Sequence, residues 1–254
     1  FFFKQKTAYE IRPRDWSDVC SSDLNASPRY ALYYAPHASS TLWSFGSRVL
    51  GYDAVSGQSV HHPEALGEFL ARWPSLTTEP RKYGFHATLK APFHLIESQD
   101  ERALLLAVDN FSKLTRAISL PVKAANIGPF IALKPSSSAE QINALASEIV
   151  DHFDHFRKPL SPEDRNRRLQ SPLTDRQIAY LDLYGYPYVH EEFRFHMTLT
   201  NALHIEDREA ILNCLRSLFE AEVGDAEIFI NRLCVFRQES PQERFRVIYS
   251  AEFA

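Results

Sequence analysis

Apolar residues recur with two different periods along this chain, and these periods separate predicted strands from predicted helices. Aromatic and β-branched runs predict strands, whereas apolar residues three or four positions apart predict helices. The predicted strands lie at residues 29–36, 83–90, two runs within 118–135, 193–200, 226–238 and 243–253. The predicted helices lie at residues 41–51, 62–73, 98–117, 137–156, 174–185 and 206–222.

The order of these elements repeats. In each half of the chain, a strand that contains Phe-His-x-Thr-Leu is followed by a long helix and then by two strands. This order predicts an α+β fold that arose by internal duplication. We expect a bilobal arrangement with an antiparallel sheet in each lobe, helices flanking the sheets and an active-site cleft between the lobes. The lobes form one domain, residues 28–254, and divide it at about 28–125 and 126–254.

The first 24 residues, FFFKQKTAYEIRPRDWSDVCSSDL, differ in character from the rest. They resemble translated sequencing-adapter read-through, and no periodicity continues from them into the following strand. We therefore expect residues 1–27 to be a non-native or disordered segment with no function, as for a tag or fusion scar. The domain is expected to begin near Pro28 and Arg29.

The composition is that of an ordinary soluble protein, with 44% hydrophobic and 24% charged residues. The net charge of −4 leaves no overall basic footprint of the kind that a large nucleic-acid interface requires. The three cysteines show no metal-ligand spacing, and no apolar run approaches the length of a membrane helix. We expect a cytoplasmic monomer with no cofactor, no membrane association and no nucleic-acid partner.

The repeated frame, YGFHATLK at residues 83–90 and FRFHMTLT at residues 193–200, is the main functional signal. The chance expectation for Phe-His-x-Thr-Leu in a chain of this composition is only about 0.003, whereas H-x-T alone is a weak signal. Alternate strand residues share a face, so His86, Thr88 and Lys90 are predicted to point the same way. In the second copy, Arg194, His196, Thr198 and Thr200 are predicted to share the corresponding polar face.

Two such strands facing one cleft would present two imidazoles and two hydroxyls to a ligand. One neutral histidine can accept a proton while a protonated one donates a proton. Threonine hydroxyls can donate to the non-bridging oxygens of a phosphate, and Lys90 and Arg194 could add charge-assisted contacts. Lys90, Arg194 and Thr200 are therefore the predicted substrate-binding residues. The pattern favours metal-free acid–base chemistry at phosphorus over two buried structural histidines, although it leaves open which histidine is the base.

The strings RYALYYAP, RKYGFHATLKAPF and FRFHMTLT resemble the phosphonate metabolism subgroup of the 2H phosphoesterases, which carry twin H-x-T motifs. The resemblance covers about residues 29–252. It implies a bilobal fold with a central cleft, in which His86 and His196 act as general base and acid. It also implies that Thr88 and Thr198 bind phosphate.

The resemblance further implies a metal-independent phosphoesterase that hydrolyses a cyclic phosphodiester of a small ribose-type substrate in phosphonate metabolism. Two alternatives stay open at this level. One is an enzyme that processes or ligates RNA ends, which the acidic charge disfavours. The other is a non-catalytic protein that binds a phosphate-bearing ligand, for which an intact acid–base pair would not be needed.

Other polar groups give weaker signals. The pairs His61–His62 and His152–His155 could supply metal ligands, but a helix start and a solvated helix end are the favoured interpretations of these positions. His94 could lie at the rim of the cleft. The polar segment 157–172 contains the densest basic run, Arg165 to Gln170, and is predicted to be a loop that either is solvated or covers the cleft.

Overall fold

The computed structural model describes residues 27–224 and 227–254. The predicted non-native segment 1–27 therefore lies outside the described residues, except for residue 27. The strands are β1 Arg29–Tyr34, β2 Tyr52–Asp53, β3 Gln58–Ser59, β4 Ala87–His94, β5 Ile118–Ile127, β6 Phe130–Pro135, β7 Met197–Thr198, β8 Glu227–Ile230, β9 Arg232–Gln238 and β10 Arg246–Glu252. The α-helices are α1 Thr41–Leu50, α2 Trp73–Leu76, α3 Thr78–Arg81, α4 Glu101–Ser112, α5 Glu140–His152, α6 Pro162–Arg168, α7 Asp175–Tyr184 and α8 Ile205–Glu222.

Eight of the strands form one antiparallel sheet, in the order β10-β9-β1-β4-β7-β6-β5-β8, and β2 pairs with β3 in a small separate ribbon. Helices pack against the sheet, with α5 on β4, α8 on β5 and β6, and α4 on β9 and β10. The predicted α+β class with antiparallel strands is therefore confirmed. The predicted sheet in each lobe is replaced by one continuous sheet, whose two halves meet where β4 pairs with β7.

The two halves of this sheet are not consecutive halves of the chain. The C-terminal strands β9 and β10 lie beside β1, whereas β5 belongs to the other half, with β6, β7 and β8. Strand pairing therefore interleaves the predicted segments 28–125 and 126–254. The bilobal, duplicated arrangement stays a prediction that the sheet does not confirm.

The sheet is strongly curled, because consecutive strands of the chain lie far apart in the strand order. A single residue, Asn231, separates β8 at one edge from β9, the second strand from the other edge. Two residue steps span at most about 7 Å. The two edge regions must therefore approach each other at this point, and the sheet must curve from one half to the other.

Local sequence explains where the main helices begin and end. Helix α1 begins after Ser40, whose side chain accepts a hydrogen bond from the Trp43 N–H, and it ends at Gly51 in the left-handed conformation (φ 74°). Helix α7 begins with a capping box formed by Thr174 and Gln177. Helix α4 begins after Asp100, whose side chain accepts a hydrogen bond from the Ala103 N–H, two residues later than the predicted start at residue 98.

Two segments differ from the predicted elements. Residues 62–73 do not form one helix, because Gly67 has φ 55° and ψ −123°, outside the helical region, and interrupts a 3₁₀ segment. The basic run in 157–172 is not a loop but contains α6. Ser161 caps this helix and Pro162 occupies its first position, where proline is tolerated because no intrahelical donor is lost.

The segment that precedes β4 is held against α1 by a close approach. The position of a Cβ on Gly46 would lie 2.1 Å from the ring of Phe85, which is fully buried. Only glycine allows the ring to pack at this distance from the helix backbone. This contact fixes the segment that leads directly into His86.

None of the helices in the described parts of the chain combines the length and the hydrophobicity that crossing a bilayer requires.

Candidate active site

The two H-x-T frames lie on neighbouring strands at the centre of the sheet. Ala87 of β4 pairs with Met197 of β7 in antiparallel register. Continuing this register by one residue in each direction sets His86 opposite Thr198 and Thr88 opposite His196. Directly opposed residues have Cβ atoms about 4.5–5.5 Å apart. The two imidazoles therefore occupy opposite corners of a small polar square, with a threonine at each remaining corner.

The residues between these positions are buried on the other face, as predicted. Phe85, Ala87 and Leu89 are at most 2% exposed, whereas His86 and Thr88 are partly exposed. The second frame shows the same alternation, with Phe195, Met197 and Leu199 buried and His196 and Thr198 partly exposed. The period-2 reading of both frames is thus confirmed up to Thr88 and Thr198.

Both imidazoles are oriented by the same backbone contact. The Nδ1 atom of His86 lies 2.9 Å from the carbonyl oxygen of Gly84, and the Nδ1 of His196 lies 2.7 Å from that of Arg194. A carbonyl oxygen can only accept, so each Nδ1 carries the proton and donates it. In the neutral rings the lone pair is therefore on Nε2. The Nε2 of His86 lies 3.2 Å from the Thr88 hydroxyl oxygen, which donates to it.

The environment keeps both histidines neutral at pH 7. Burial lowers the pKa of His86 to about 4, a hydrogen bond to the Gly84 carbonyl opposes this shift, and the neighbouring His196 adds to it. Burial also lowers the pKa of His196, against the opposing hydrogen bond to the Arg194 carbonyl. Tyr33 covers His86, with the two rings stacked at a centroid distance of 3.8 Å and an angle of 19°.

The four motif side chains open into a pocket of about 430 Å³, a size typical of small-molecule sites. Its walls are mainly aromatic and apolar, with a small number of polar groups. The polar and aromatic side chains around the motif residues include Tyr33, Tyr83, Gln177, Tyr186, Tyr188, His190, Glu192 and Asn201. This composition suits a small ligand that is held by an apolar wall and anchored by an anionic group.

The prediction that Lys90 shares a face with His86 and Thr88 is wrong. Thr88 pairs with Tyr33 of β1, but Lys90 pairs with Leu32, the adjacent residue, so that Leu89 is an extra residue in β4. Such a bulge reverses the alternation after it. Lys90 therefore points to the helix-packed face.

On that face, the ammonium group of Lys90 is 4% exposed and lies 2.9 Å from an Asp154 carboxylate oxygen. It also donates to the carbonyl oxygen of Val150 at 3.2 Å. Burial lowers the pKa of Lys90, and Asp154 partly restores it. These contacts make Lys90 a structural ion-pair partner and remove it from the set of phosphate ligands.

The other two predicted binding residues do line the pocket. Arg194 is exposed, and its Nη1 donates to the carbonyl oxygens of Glu191 and Phe193, both at 2.6 Å. Thr200 is buried, and its Oγ1 accepts a hydrogen bond from the Ile131 N–H at 3.0 Å. A ligand contact by either residue stays a prediction.

The remaining histidines of the sequence analysis lie elsewhere. The Nδ1 of His62 lies 2.9 Å from the Arg48 carbonyl oxygen, and His94 lies 3.2 Å from that of Pro28. The ring of His152 packs against Phe111 and Phe153. Within residues 27–224 and 227–254, no group of three or more His, Cys, Asp or Glu side chains is arranged to hold a metal ion.

Sequence reasoning missed two parts of the site. Tyr83 and Tyr186 line the pocket although neither belongs to the shared Phe-His-x-Thr-Leu residues, and the ring of Tyr83 lies 6.2 Å from that of His86. His190 lines the pocket in a left-handed backbone conformation, with φ 51°. The unusual density of tyrosines in residues 180–188 is the one sequence signal that could have pointed to this wall.

The family described as "Protein of unknown function (DUF1045)" matches residues 88–246. This match covers more than half of the 254 residues, begins inside the first H-x-T frame and contains the second. The chain belongs to the DUF1045 family.

Two curated proteins are similar to this chain, and both are named ribose 1,5-bisphosphate phosphokinase PhnN. The protein from Janthinobacterium sp. (strain Marseille) is 37% identical over 221 residues, which cover 85% of this chain and 49% of the relative. The protein from Laribacter hongkongensis (strain HLHK9) is 33% identical over 175 residues, which cover 69% of this chain and 40% of the relative. The chain thus spans about half the length of the curated relatives it matches.

Among solved structures, the chain is similar to ATU0111, a conserved protein of unknown function from Agrobacterium tumefaciens str. C58. The TM-score is 0.43 and the identity is 12%, over 88% of this chain and 85% of the other.

Proposed function

We propose that this DUF1045 protein is a metal-independent phosphoesterase that hydrolyses a cyclic phosphodiester of a small ribose-type substrate. The observation that carries the proposal is the diagonal arrangement of His86 and His196 across one antiparallel strand pair, with Nδ1 of each ring bound to a carbonyl oxygen. Each Nε2 is thereby left as the exchangeable position. A threonine hydroxyl stands beside each imidazole, where a phosphate oxygen would need a donor.

In the proposed reaction, water attacks phosphorus while Nε2 of one neutral imidazole removes its proton. The bond from phosphorus to the leaving ribose oxygen breaks, and the other imidazole, in its protonated form, donates a proton to that oxygen. The product is a ribose phosphate monoester with a free hydroxyl group. When the substrate binds, the Thr88 hydroxyl turns from Nε2 of His86 to a non-bridging phosphate oxygen, which leaves the Nε2 lone pair free to accept the proton of water. Thr198 donates to the other non-bridging oxygen, and charge increases on both oxygens in the transition state.

We assign the base role to His86 and the acid role to His196. His86 is stacked on Tyr33, and burial together with the neighbouring imidazole lowers its pKa to about 4, so it is neutral and able to accept a proton. Among the described residues, the ring beside His196 is that of Phe130, which is tilted by 45° at a centroid distance of 6.1 Å rather than stacked. Burial lowers the pKa of His196 without the added effect of a neighbouring imidazole that acts on His86. Binding of an anionic phosphate between the two rings would further favour the protonated form of His196.

The names of the curated relatives support a phosphorylated ribose as the substrate class and phosphonate metabolism as the setting. They also name a kinase, and the chain spans only about half of these proteins. A nucleoside triphosphate cradle of the P-loop type needs G-x-x-x-x-G-K-[S/T]. In this chain, Gly46 and Gly51 have the glycine spacing, but Tyr52 and Asp53 follow. Hydrolysis therefore fits these residues better than ATP-dependent phosphoryl transfer.

The test is a turnover assay of ribose 1,2-cyclic phosphate and nucleoside 2′,3′-cyclic phosphates in the presence of a chelator. Replacement of His86 or His196 by Ala should lower kcat by about 10²–10⁴, the usual contribution of general acid–base groups. His204→Ala is the matched control, since His204 is exposed on the N-terminal side of α8 and does not line the pocket. It should retain full activity.

Three results would contradict the proposal. Loss of activity with chelator would refute the metal-independent mechanism, and a drop of less than tenfold in both histidine variants would refute the acid–base roles. Tight binding of the cyclic phosphate by the unmodified protein without any turnover would indicate a phosphate-binding protein that lacks catalysis.

A further inference from the structure

We infer that Arg168 binds a second, non-reacting phosphate group of the substrate at the tyrosine-lined end of the pocket. This inference rests on the proposed function only in that the reacting phosphate is assigned to His86 and His196. The ligand class it implies is a pentose-sized molecule with one phosphate at the catalytic histidines and another several ångströms away. The evidence comes from the contacts of α6, the basic helix for which the sequence left two interpretations open.

The other arginines around α6 are neutralised by carboxylates. Arg165 donates to both carboxylate oxygens of Asp182, at 2.6 and 2.9 Å, and Arg167 is paired with Asp164. Arg168 differs, since no carboxylate in the described parts of the chain lies within 4.0 Å of its guanidinium group. Its Nε is also buried and has no hydrogen-bond acceptor among the described residues. A buried donor without an acceptor is costly and calls for a partner.

The surroundings of Arg168 make an anion the fitting partner. Burial lowers the pKa of Arg168, and the positive charges of Arg167 and Arg29 act in the same direction, against an opposing effect of Tyr186 and Asp164. Arg29 has no carboxylate within 4.0 Å among the described residues either, and its guanidinium donates to the side-chain oxygen of Gln238. Two uncompensated guanidinium groups near each other repel, and a dianionic phosphate would relieve that repulsion.

The position of Arg168 connects this charge to the catalytic pocket. Its guanidinium carbon lies 5.7 Å from the ring centroid of Tyr186, which lines the pocket. Tyr83 also lines the pocket, and its ring lies 6.2 Å from that of His86. Burial raises the pKa of Tyr83, and the positive charges of Arg29 and Arg168 both act against this shift. Arg168 thus stands against Tyr186 of the pocket wall, and Tyr83 of the same wall lies beside His86. A sugar ring between the two phosphates would rest on the tyrosine wall.

The experiment compares ligands that differ only in the second phosphate. Ribose 5-phosphate binding is measured by calorimetry for the full chain and for Arg168→Gln, Arg168→Lys and Arg167→Gln. Steady-state kinetics are measured with ribose 1,2-cyclic phosphate and with the same compound carrying a 5-phosphate. Arg167→Gln is the matched control on the same helix, since its charge is already paired with Asp164.

Arg168→Gln should weaken ribose 5-phosphate binding about 10- to 100-fold, the range expected for loss of a charge-assisted contact. It should raise KM by the same factor for the 5-phosphorylated substrate alone and leave kcat nearly unchanged. The affinity of Arg168→Lys for ribose 5-phosphate should lie between those of the unmodified protein and Arg168→Gln, because lysine retains the charge but not the planar guanidinium group. Arg167→Gln should change binding less than threefold.

The inference is overturned if the unmodified protein does not bind ribose 5-phosphate or if Arg168→Gln binds it as tightly as the unmodified protein. It is also overturned if Arg168→Gln raises KM equally for the cyclic phosphates with and without the 5-phosphate. The outcome is independent of the proposed function. If neither cyclic phosphate is turned over, the proposed hydrolysis fails, whereas the calorimetric comparison still decides whether Arg168 binds phosphate. His86→Ala should retain ribose 5-phosphate binding, which separates the two sites.

Discussion

Replacement of Lys90 by Met separates the structural role of this lysine from the ligand-binding role that strict strand alternation predicts. In the structure, the Lys90 ammonium is buried between Asp154 and the Val150 carbonyl, at 2.9 and 3.2 Å. Methionine has a similar length and no charge, so it fills the same space without restoring either contact. A structural role therefore predicts a loss of stability, whereas a phosphate-binding role predicts a loss of affinity.

The expected loss of stability depends on the hydrogen bonds that Asp154 keeps when Lys90 is replaced. Removing one member of a fully buried ion pair costs about 3–5 kcal/mol, because the remaining charge is left uncompensated. Asp154 is 26% exposed and also accepts hydrogen bonds from Arg157 at 2.9 and 3.0 Å. Burial alone would raise the pKa of Asp154, yet Arg157 and Lys90 together hold it below its usual value. Since Arg157 remains, we expect a smaller loss of about 1–3 kcal/mol.

The assay is urea unfolding of the unmodified protein, Lys90→Met and Lys113→Met, together with KM for the cyclic phosphate. Lys113 is the matched control, because it directly follows the last residue of α4 and forms an exposed ion pair with Asp109 in that helix. Such pairs contribute at most about 1 kcal/mol. We expect Lys90→Met to lower the unfolding free energy by clearly more than Lys113→Met, with KM within about twofold of the unmodified protein.

The opposite pattern would refute the reasoning. If Lys90→Met unfolds at the same urea concentration as the unmodified protein and raises KM tenfold or more, then Lys90 faces the ligand. The bulge at Leu89 would then not reverse the strand in solution.

Three further predictions concern the histidines and their support. The pH profile of kcat/KM should be bell-shaped with its maximum below pH 6.5. Activity is lost below about pH 4 because His86 is protonated, and it is lost at higher pH because His196, whose pKa is also lowered, is deprotonated. A maximum above pH 7 would contradict these roles. Tyr33→Leu should raise the pKa of His86 from about 4 toward 6.5 in an NMR titration, because the stacked ring contributes to the burial that disfavours the charged form; an unchanged pKa would show that Tyr33 does not control it. Gly46→Ala should destabilise the protein by about 1–3 kcal/mol in chemical denaturation, because its Cβ would lie 2.1 Å from the buried Phe85 ring; equal or greater stability would mean that the ring moves away without cost.

Much of the local structure could be predicted from the sequence, because it depends on neighbours within a few residues. The helical period, the cap at Ser40 and the left-handed glycine at Gly51 locate α1. Strand alternation correctly places His86 and Thr88 on one face and Phe85 and Ala87 on the other. The candidate catalytic residues were therefore recognisable from a five-residue frame that occurs twice.

The failures of prediction arise where a distant part of the chain decides. The run 226–238 looks like one strand, but Asn231 divides it between two distant positions in the sheet, since Ile230 pairs with Ile118 and Arg232 with Glu252. Asn231 is of a type disfavoured in strands, but it does not show which partner each side takes, because the apolar residues before and after it suit either partner strand equally. The sequence of α6 likewise predicts a loop, because its polar residues lack an apolar stripe.

The sequence by itself determined which residues are the candidates for catalysis, two histidines and two threonines, and the faces on which they lie, since side-chain alternation is a local property of an extended backbone. Only the tertiary structure decided that the two frames are antiparallel neighbours in one curled sheet and that Leu89 bulges and turns Lys90 away. It also decided that the buried Nε of Arg168 has no acceptor among residues 27–224 and 227–254. Strand order, register shifts and ion-pair partners depend on contacts between residues far apart in the chain. Their free energies are set by the packing of the whole domain, which no short pattern of residues encodes.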